Sequence, residues 1–236
     1  MRYVQRLVNI SVIGTGIVLF GLPVGYAPAQ PAAPPAGAVS AVPDPSRSTV
    51  SGTIAQYLMN HHGDIDGLLL EDGLQVHVPP HMAKELAATV KPHDAVTIQG
   101  YRSPDGPVIA SPVITNTKTG RSLTEHEPGP FDRPILPPHV KDMFLAEKHT
   151  HGIVQTLLYG PRGEINGVVL DNHAIVHIPP HATQQTASLL QPGHSIDAVG
   201  YGTENHYGLA IEATAVGATG SPLTPIPQPG SAELRR

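Results

Sequence analysis

The chain has 236 residues, 40% hydrophobic and 4% aromatic, with a formal charge of −5 at pH 7 and no cysteine. That length accommodates one or two small domains, and the lack of thiols excludes disulfides, thiolate nucleophiles and Cys-ligated zinc. The acidic balance argues against nucleic acid, whose binders carry a basic patch, whereas 14 histidines point towards metal or pH chemistry.

Arg2 and Arg6 precede an apolar stretch, residues 7–24, that carries no charge, and Ala27-Pro28-Ala29 offers an A-x-A cleavage site before Gln30. This pattern predicts an export signal over residues 1–29 and a periplasmic or secreted protein. Asn9, Gly14, Gly16 and Pro23 interrupt the apolar stretch. An uncleaved anchor is therefore the second reading, and no stable membrane span is expected once the signal is removed. The mature chain would keep 12 Lys and Arg against 19 Asp and Glu, a charge of −7. Residues 30–48 are rich in Pro and Ala and read as an extended tether.

Within residues 49–120 the expected elements run as follows. Residues 49–59 and 64–70 read as strands, and Asp72-Gly73 as a two-residue turn between the second strand and a third at residues 74–78. Pro79 stops that strand, since it has no N–H for the ladder. Residues 81–90 have helical composition, with Met82, Leu86 and Val90 spaced for one face. Pro92 ends the helix, and strands follow at residues 94–101 and 108–115.

Residues 52–120 then align with residues 152–220 at an offset of 100, without insertion. Gly52, Leu58, Gly63, Gly67, Leu70, Val76, His77, Pro79, Pro80, His81, Gly100 and Tyr101 all recur. A unit of about 70 residues is too long for a solenoid repeat. It predicts two tandem domains, residues 49–120 and 149–220. Between them lies a Pro-rich linker, residues 121–148, with a short helix suggested by the spacing of Val140, Met143 and Phe144. A Pro-rich tail, residues 221–236, reads as disordered.

The order β-β-β-α-β-β in each unit resembles the OB-fold, a five-stranded barrel with a helix between strands three and four. The segments KPHDAVTIQGY and QPGHSIDAVGY look like the fourth strands of such barrels. The resemblance implies a mainly β protein of two tandem OB-like barrels, loosely comparable to exported bacterial OB-fold proteins. It carries over no functional residue, and a different small β-barrel is the alternative architecture.

The string VHVPPH, residues 76–81, returns as VHIPPH, residues 176–181. His77, His81, His177 and His181 are thus the first candidates for a divalent metal. Chelation within one copy is disfavoured, because a residue before proline avoids the helical region and four extended residues span roughly 13 Å. Both rings could reach one ion only across a sharp turn at the prolines. A third PPH, at Pro137-Pro138-His139, also precedes a helix-like run. PPH therefore reads first as a strand-stop and helix-start device, proline being well tolerated in a first helical turn. His61, His62, His149 and His151 are further ligand types, in segments that look like loops.

A two-residue turn at Asp72-Gly73 would pair Leu68 with His77 and Leu69 with Val76, putting Leu68 and His77, and likewise Val168 and His177, on the outer face of strands two and three. That face is the usual OB ligand surface, so Leu68, His77, Val168 and His177 are ligand-binding candidates. Tyr101 and Tyr201, ending the fourth strands, join them as stacking groups, although a half-buried tyrosine at a barrel end is the simpler reading of both. Packing of the repeats against each other or against the linker is the simpler explanation of an apolar outer face. No phosphate loop, G-x-S-x-G or H-E-x-x-H motif is present, so no catalytic residue and no obligatory cofactor is assigned. The expected function is binding or scaffolding in the cell envelope, with a small ligand or an envelope protein as partner. The alternatives are a histidine-based metal-binding or pH-responsive protein, and an oligonucleotide or oligosaccharide binder using the strand two–three faces.

Overall fold

The computed structural model describes residues 47–129 and 138–227. The expected export signal and most of the expected tether lie outside the described residues, as do residues 130–137 of the linker and residues 228–236 of the tail. The first repeat contains β1 (Arg47–Met59), β2 (Ile65–Leu70), β3 (Gln75–His77), a 3-10 turn at Pro80–Met82 leading into α1 (Ala83–Thr89), β4 (Ala95–Arg102), β5 (Val108–Asn116) and β6 (Ser122–Thr124). After α2 (Pro138–Asp142) the series repeats as β7 (Ala146–Tyr159), β8 (Ile165–Leu170), β9 (Ile175–His177), α3 (Pro180–Thr186), β10 (Ser195–Asn205), β11 (Gly208–Ala218) and β12 (Thr224–Pro225).

Each repeat closes on itself. In the second, β7 pairs with β8 and β10, β8 with β9, β9 runs parallel to β11, and β11 pairs with β10. The result is a closed five-stranded barrel, and β1 to β5 form the same ring of pairings in the first repeat. The protein is mainly β, two OB-like barrels in tandem. The helix between strands three and four lies where the pattern puts it, with Met82, Leu86 and Val90 all buried beneath it. Pro79 and Pro179 precede the helical turns, and Pro80 and Pro180 occupy their first positions. Proline there loses no intrahelical bond.

Three sequence expectations need correction. First, the β2–β3 turn has three residues. Leu70 N–H donates to Leu74 O and Gly73 N–H to Leu70 O, with Gly73 left-handed at φ +88°. This is a three-residue hairpin closed by a left-handed residue. The register therefore moves by one, and Leu68 pairs with Val76, Leu69 with Gln75 and Gly67 with His77. A one-residue slip exchanges the faces of a strand, so Leu68 and Val168 point into their barrels, both fully buried. Leu69, Gln75, Val169 and Ile175 take the outer face.

Second, the expected short linker helix is present but ends at Asp142, so Met143 and Phe144 lie beyond it. Chain from Ala146 onwards already belongs to β7, while Met143 and Phe144 stand 79% and 76% exposed. Third, the start of the tail is ordered. Thr224 and Pro225 pair with Val216 and Ala215, and Ile226 is buried in the second core. β6 does the same for the first barrel, with Leu123 buried. Each repeat thus extends past residue 120 or 220 by a strap strand laid on its fifth strand.

Candidate functional site

The outer faces of strands two and three do not meet solvent. They meet each other. The first barrel's hydrophobic cluster continues into the second through Leu158, Val169, Ile175 and Ala210. Burial of this outer apolar set stabilises the barrel pair as one body.

The polar groups at this seam are matched reciprocally. His77 Nε2–H donates to Tyr159 O at 2.8 Å, and His177 Nε2–H donates to Met59 O at 2.7 Å. Met59 and Tyr159 are themselves 100 residues apart, so the barrels are related by a pseudo-twofold. Gln75 is fully buried and completes the join, its Nε2–H donating to Leu157 O at 2.7 Å while Oε1 accepts from Tyr159 N–H at 2.9 Å. Burial lowers the pKa of both imidazoles, against the carbonyls that favour the charged form, and takes His177 to about 4. They are neutral hydrogen-bond donors across the seam.

The loops that flank an OB ligand face are engaged in the same way. Ser103 Oγ–H donates to Arg162 O at 2.9 Å, and Asn205 Nδ2–H donates to Gly63 O at 3.0 Å. Gly63 and Gly163 are both left-handed, at φ +87° and +90°, and a Cβ on Gly163 would stand 2.7 Å from the Asp105 carbonyl carbon. Each barrel therefore closes the other's customary binding surface, loops included.

His81 and His181 have a different and equally repeated task. Their Nε2–H groups donate to His126 O at 2.9 Å and Pro227 O at 2.7 Å, the chain just beyond β6 and β12. The four histidines of the two PPH strings thus spend Nε2 on backbone carbonyls in two pairs, one across the seam and one on the straps. Tyr101 lies beneath the Arg47 guanidinium, 5.3 Å from its ring centroid. Tyr201 is 47% exposed and borders a different cluster.

That cluster contains His61, His62, Asp142 and Glu212, with Leu145, Tyr201 and Thr214 around an open pocket of about 590 Å³. His62 Nε2 lies 2.8 Å from Asp142 Oδ1, and His61 Nδ1 lies 3.5 Å from Glu212 Oε2. One ligand atom each from His61, His62 and Asp142 falls within a 4.8 Å sphere of mutual separation. Burial and the neighbouring His62 lower the His61 pKa, opposed by Glu212 and Asp142. The second and larger opening, about 780 Å³, runs along the same seam between β1 and the β10–β11 hairpin. Tyr57, Lys91, His93, His173, His206 and Tyr207 line it. Tyr57 and Tyr207 meet edge to face at 5.3 Å, and His206 lies over Tyr207 at 3.7 Å. Tyr57 O–H donates to Val90 O at 2.7 Å, and burial raises its pKa to about 12.

Sequence reasoning gave His61 and His62 little weight and did not single out the groove. The signal available was the break in the repeat. At an offset of 100, His61, His62 and Glu212 correspond to Pro161, Arg162 and Pro112, and Tyr57, His93, His173, His206 and Tyr207 to Leu157, Gly193, Gly73, Gly106 and Pro107. Among the described residues no helix is long and apolar enough to cross a membrane. The fold and the seam define a fused pair of OB-like barrels. Comparison with protein-family models, with curated proteins and with solved structures gives no match for the chain.

Proposed function

We propose that the protein is a non-catalytic binding protein of the cell envelope, made of two OB-fold modules joined across their ligand faces, and that it takes an oligosaccharide in the 780 Å³ seam groove. The observation carrying this reading is the one-sided wall of that groove. Two tyrosines and three imidazoles line it, whereas the pseudo-equivalent positions on the opposite seam hold leucine, glycine and proline. A duplicated scaffold needs no such difference for packing alone. Stacked aromatic and imidazole rings offer an apolar face with polar edges, the combination a sugar ring matches. Among the described residues that line it, Lys91 is the charged one and none is a carboxylate, which favours neutral or acidic sugars over cationic ligands. The basic and then apolar pattern of residues 1–29, read as an export signal, supports an envelope location, where such polymers are abundant.

Calorimetric titration of the chain with neutral and acidic oligosaccharides tests the reading. Loss of the Tyr207 ring in Tyr207→Ala should weaken binding by about tenfold. Affinity unchanged in both Tyr207→Ala and His206→Ala, or no saccharide bound at all, would overturn it. Salt-sensitive retention on single-stranded DNA in place of saccharide binding would change the ligand class to nucleic acid.

A further inference from the structure

We infer that His61, His62, Asp142 and Glu212 form a binding site for one divalent transition-metal ion, zinc in the first place, at the junction of the two barrels and the linker. This inference stands apart from the saccharide reading and uses none of the groove's residues.

The donors come from three separate pieces of chain. His61 and His62 sit in the loop after β1, a tight turn in which Gly63 N–H donates to Asn60 O at 2.9 Å. The turn presents both rings to one side, with centroids 4.1 Å apart. Asp142 ends α2, and Glu212 lies in β11 of the other barrel. The His62–Asp142 separation of 2.8 Å already suits two ligands on one ion, because bonds of about 2.0–2.2 Å place neighbouring donors roughly 3 Å apart. Ligand atoms of His61, His62 and Asp142 all lie within 4.8 Å of one another, and Glu212 Oε2 stands 3.5 Å from His61 Nδ1.

The donor chemistry selects the class of ion. Two imidazoles with carboxylates suit zinc, copper(II), nickel or iron(II), whereas magnesium and calcium prefer all-oxygen sites. Neutral imidazole is the ligating form, and both rings stand on the same side of the turn, facing the two carboxylates. Lys141 does not compete for Asp142, since its Nζ is 3.3 Å from Asp64 Oδ2. The pocket opens to solvent beside Tyr201 and Thr214, leaving room for a water or an exogenous ligand on the ion.

The repeat supplies an independent argument. His77, His81, His177 and His181 recur in both copies and do the same structural work in each. His61, His62 and Glu212 are each present in one copy only, their equivalents in the other being Pro161, Arg162 and Pro112. The second copy shows that the loop folds and docks without them. Three potential metal ligands have therefore accumulated at one corner of a scaffold that does not require them, and a fourth, Asp142, reaches it from the linker. The competing explanation is two separate imidazole–carboxylate ion pairs.

Calorimetry on the full chain with zinc chloride, then copper(II), nickel and magnesium salts, separates these. The expected result is one zinc per chain, a rise in Tm with zinc, and no response to magnesium. His61→Ala and His62→Ala should each weaken zinc binding by about 100-fold or more, and Asp142→Asn by about tenfold, while His149→Ala leaves it unchanged. Because His62→Ala removes an ion pair as well, His62→Gln and a metal-free Tm for every variant distinguish lost ligation from lost folding. Cobalt(II) offers a second readout, visible d–d absorption that disappears in His61→Ala. No heat with zinc, copper or nickel would overturn the inference in favour of the ion pairs. Stoichiometric binding that survives all three substitutions would equally overturn it.

Discussion

At the scale of single residues, the duplication provides its own controls. Four positions take the left-handed region in two equivalent turns. Gly73 and His173 close the β2–β3 and β8–β9 hairpins, at φ +88° and +68°, and His93 and Gly193 precede β4 and β10, at φ +71° and +91°. Each turn thus has glycine in one copy and histidine in the other. A Cβ on Gly73 or Gly193 would meet nothing within 4 Å, so only the backbone conformation resists a side chain there. Gly73→Ala and Gly193→Ala should each cost about 1 kcal/mol, read as a lower urea midpoint at unchanged slope. His93→Gly should move stability the other way, by up to about 1 kcal/mol, since it relieves the same strain. His173→Gly should gain less. His173 Nδ1–H donates to Gln56 Oε1 at 2.7 Å and its carbonyl accepts from Gln56 Nε2–H at 3.4 Å, both across the seam. A His173→Gly gain equal to that of His93→Gly would show that the Gln56 bridge contributes nothing.

At the scale of elements, β12 and its anchor test how far each barrel depends on its strap. Ile226 is 5% exposed, and its N–H donates to Thr214 O at 2.8 Å. Ile226→Ala should lower stability by about 2–3 kcal/mol. His181→Ala, which leaves the Pro227 carbonyl without its donor, should cost about 1 kcal/mol. Both should speed hydrogen exchange at the Ile226 amide, and exchange no faster than in the parent chain would remove the strap from the barrel's stabilising elements. The strap was hidden in the sequence because its prolines resemble a disordered tail, and a two-residue strand with one buried side chain leaves no periodicity. The five barrel strands and the intervening helix were legible, each carrying an apolar pattern bounded by Gly or Pro. The register of β3 was not. Asp-Gly fits either a two-residue turn or the end of a three-residue one, and only the second copy, Asp171-Asn172-His173, where no glycine follows, hints at the longer loop. The candidate sites fared similarly. Single-chain spacing led to His77 and His81, whose repetition reflects structure, while His61, His62 and the groove depend on residues brought in from the linker and the opposite barrel.

At the scale of the whole molecule, the barrels share a core and two reciprocal imidazole bonds, so acid should act on the pair as a unit. His77 and His177 have lowered pKa values in the fold, His177 at about 4 against 6.5 when unfolded. The unfolded chain then binds protons that the native seam refuses, and stability must fall as pH drops from about 6.5 towards 4. The groups facing these rings reinforce or temper this. His61 and His77 bear on His177 with like charge when protonated, and Glu164 partly favours a charged His77. Asp66 works in the opposite sense. Burial, with Asp64 adding to it, raises its pKa to about 7 from 3.8, so its contribution is full in acid and is lost as pH rises from about 4 through 7. The parent chain should therefore show a shallow dependence between pH 4 and 7, two slopes of opposite sign offsetting each other. The second copy shows how to separate them, for Asn166 stands at the position equivalent to Asp66, half-buried, with a buried Oδ1 that lacks a partner among the described residues. An amide is thus tolerated there even unsatisfied, and Asp66→Asn should stabilise the chain at pH 8 by about 1–3 kcal/mol. It should also expose the histidine slope, so that stability falls clearly from pH 6.5 to 4 in urea titrations where the parent chain barely changes. Parallel pH profiles for Asp66→Asn and the parent would exclude a buried, protonated Asp66. Adding His177→Gln to Asp66→Asn should make the acid limb shallower, with His77 carrying what is left, which assigns that limb to the seam.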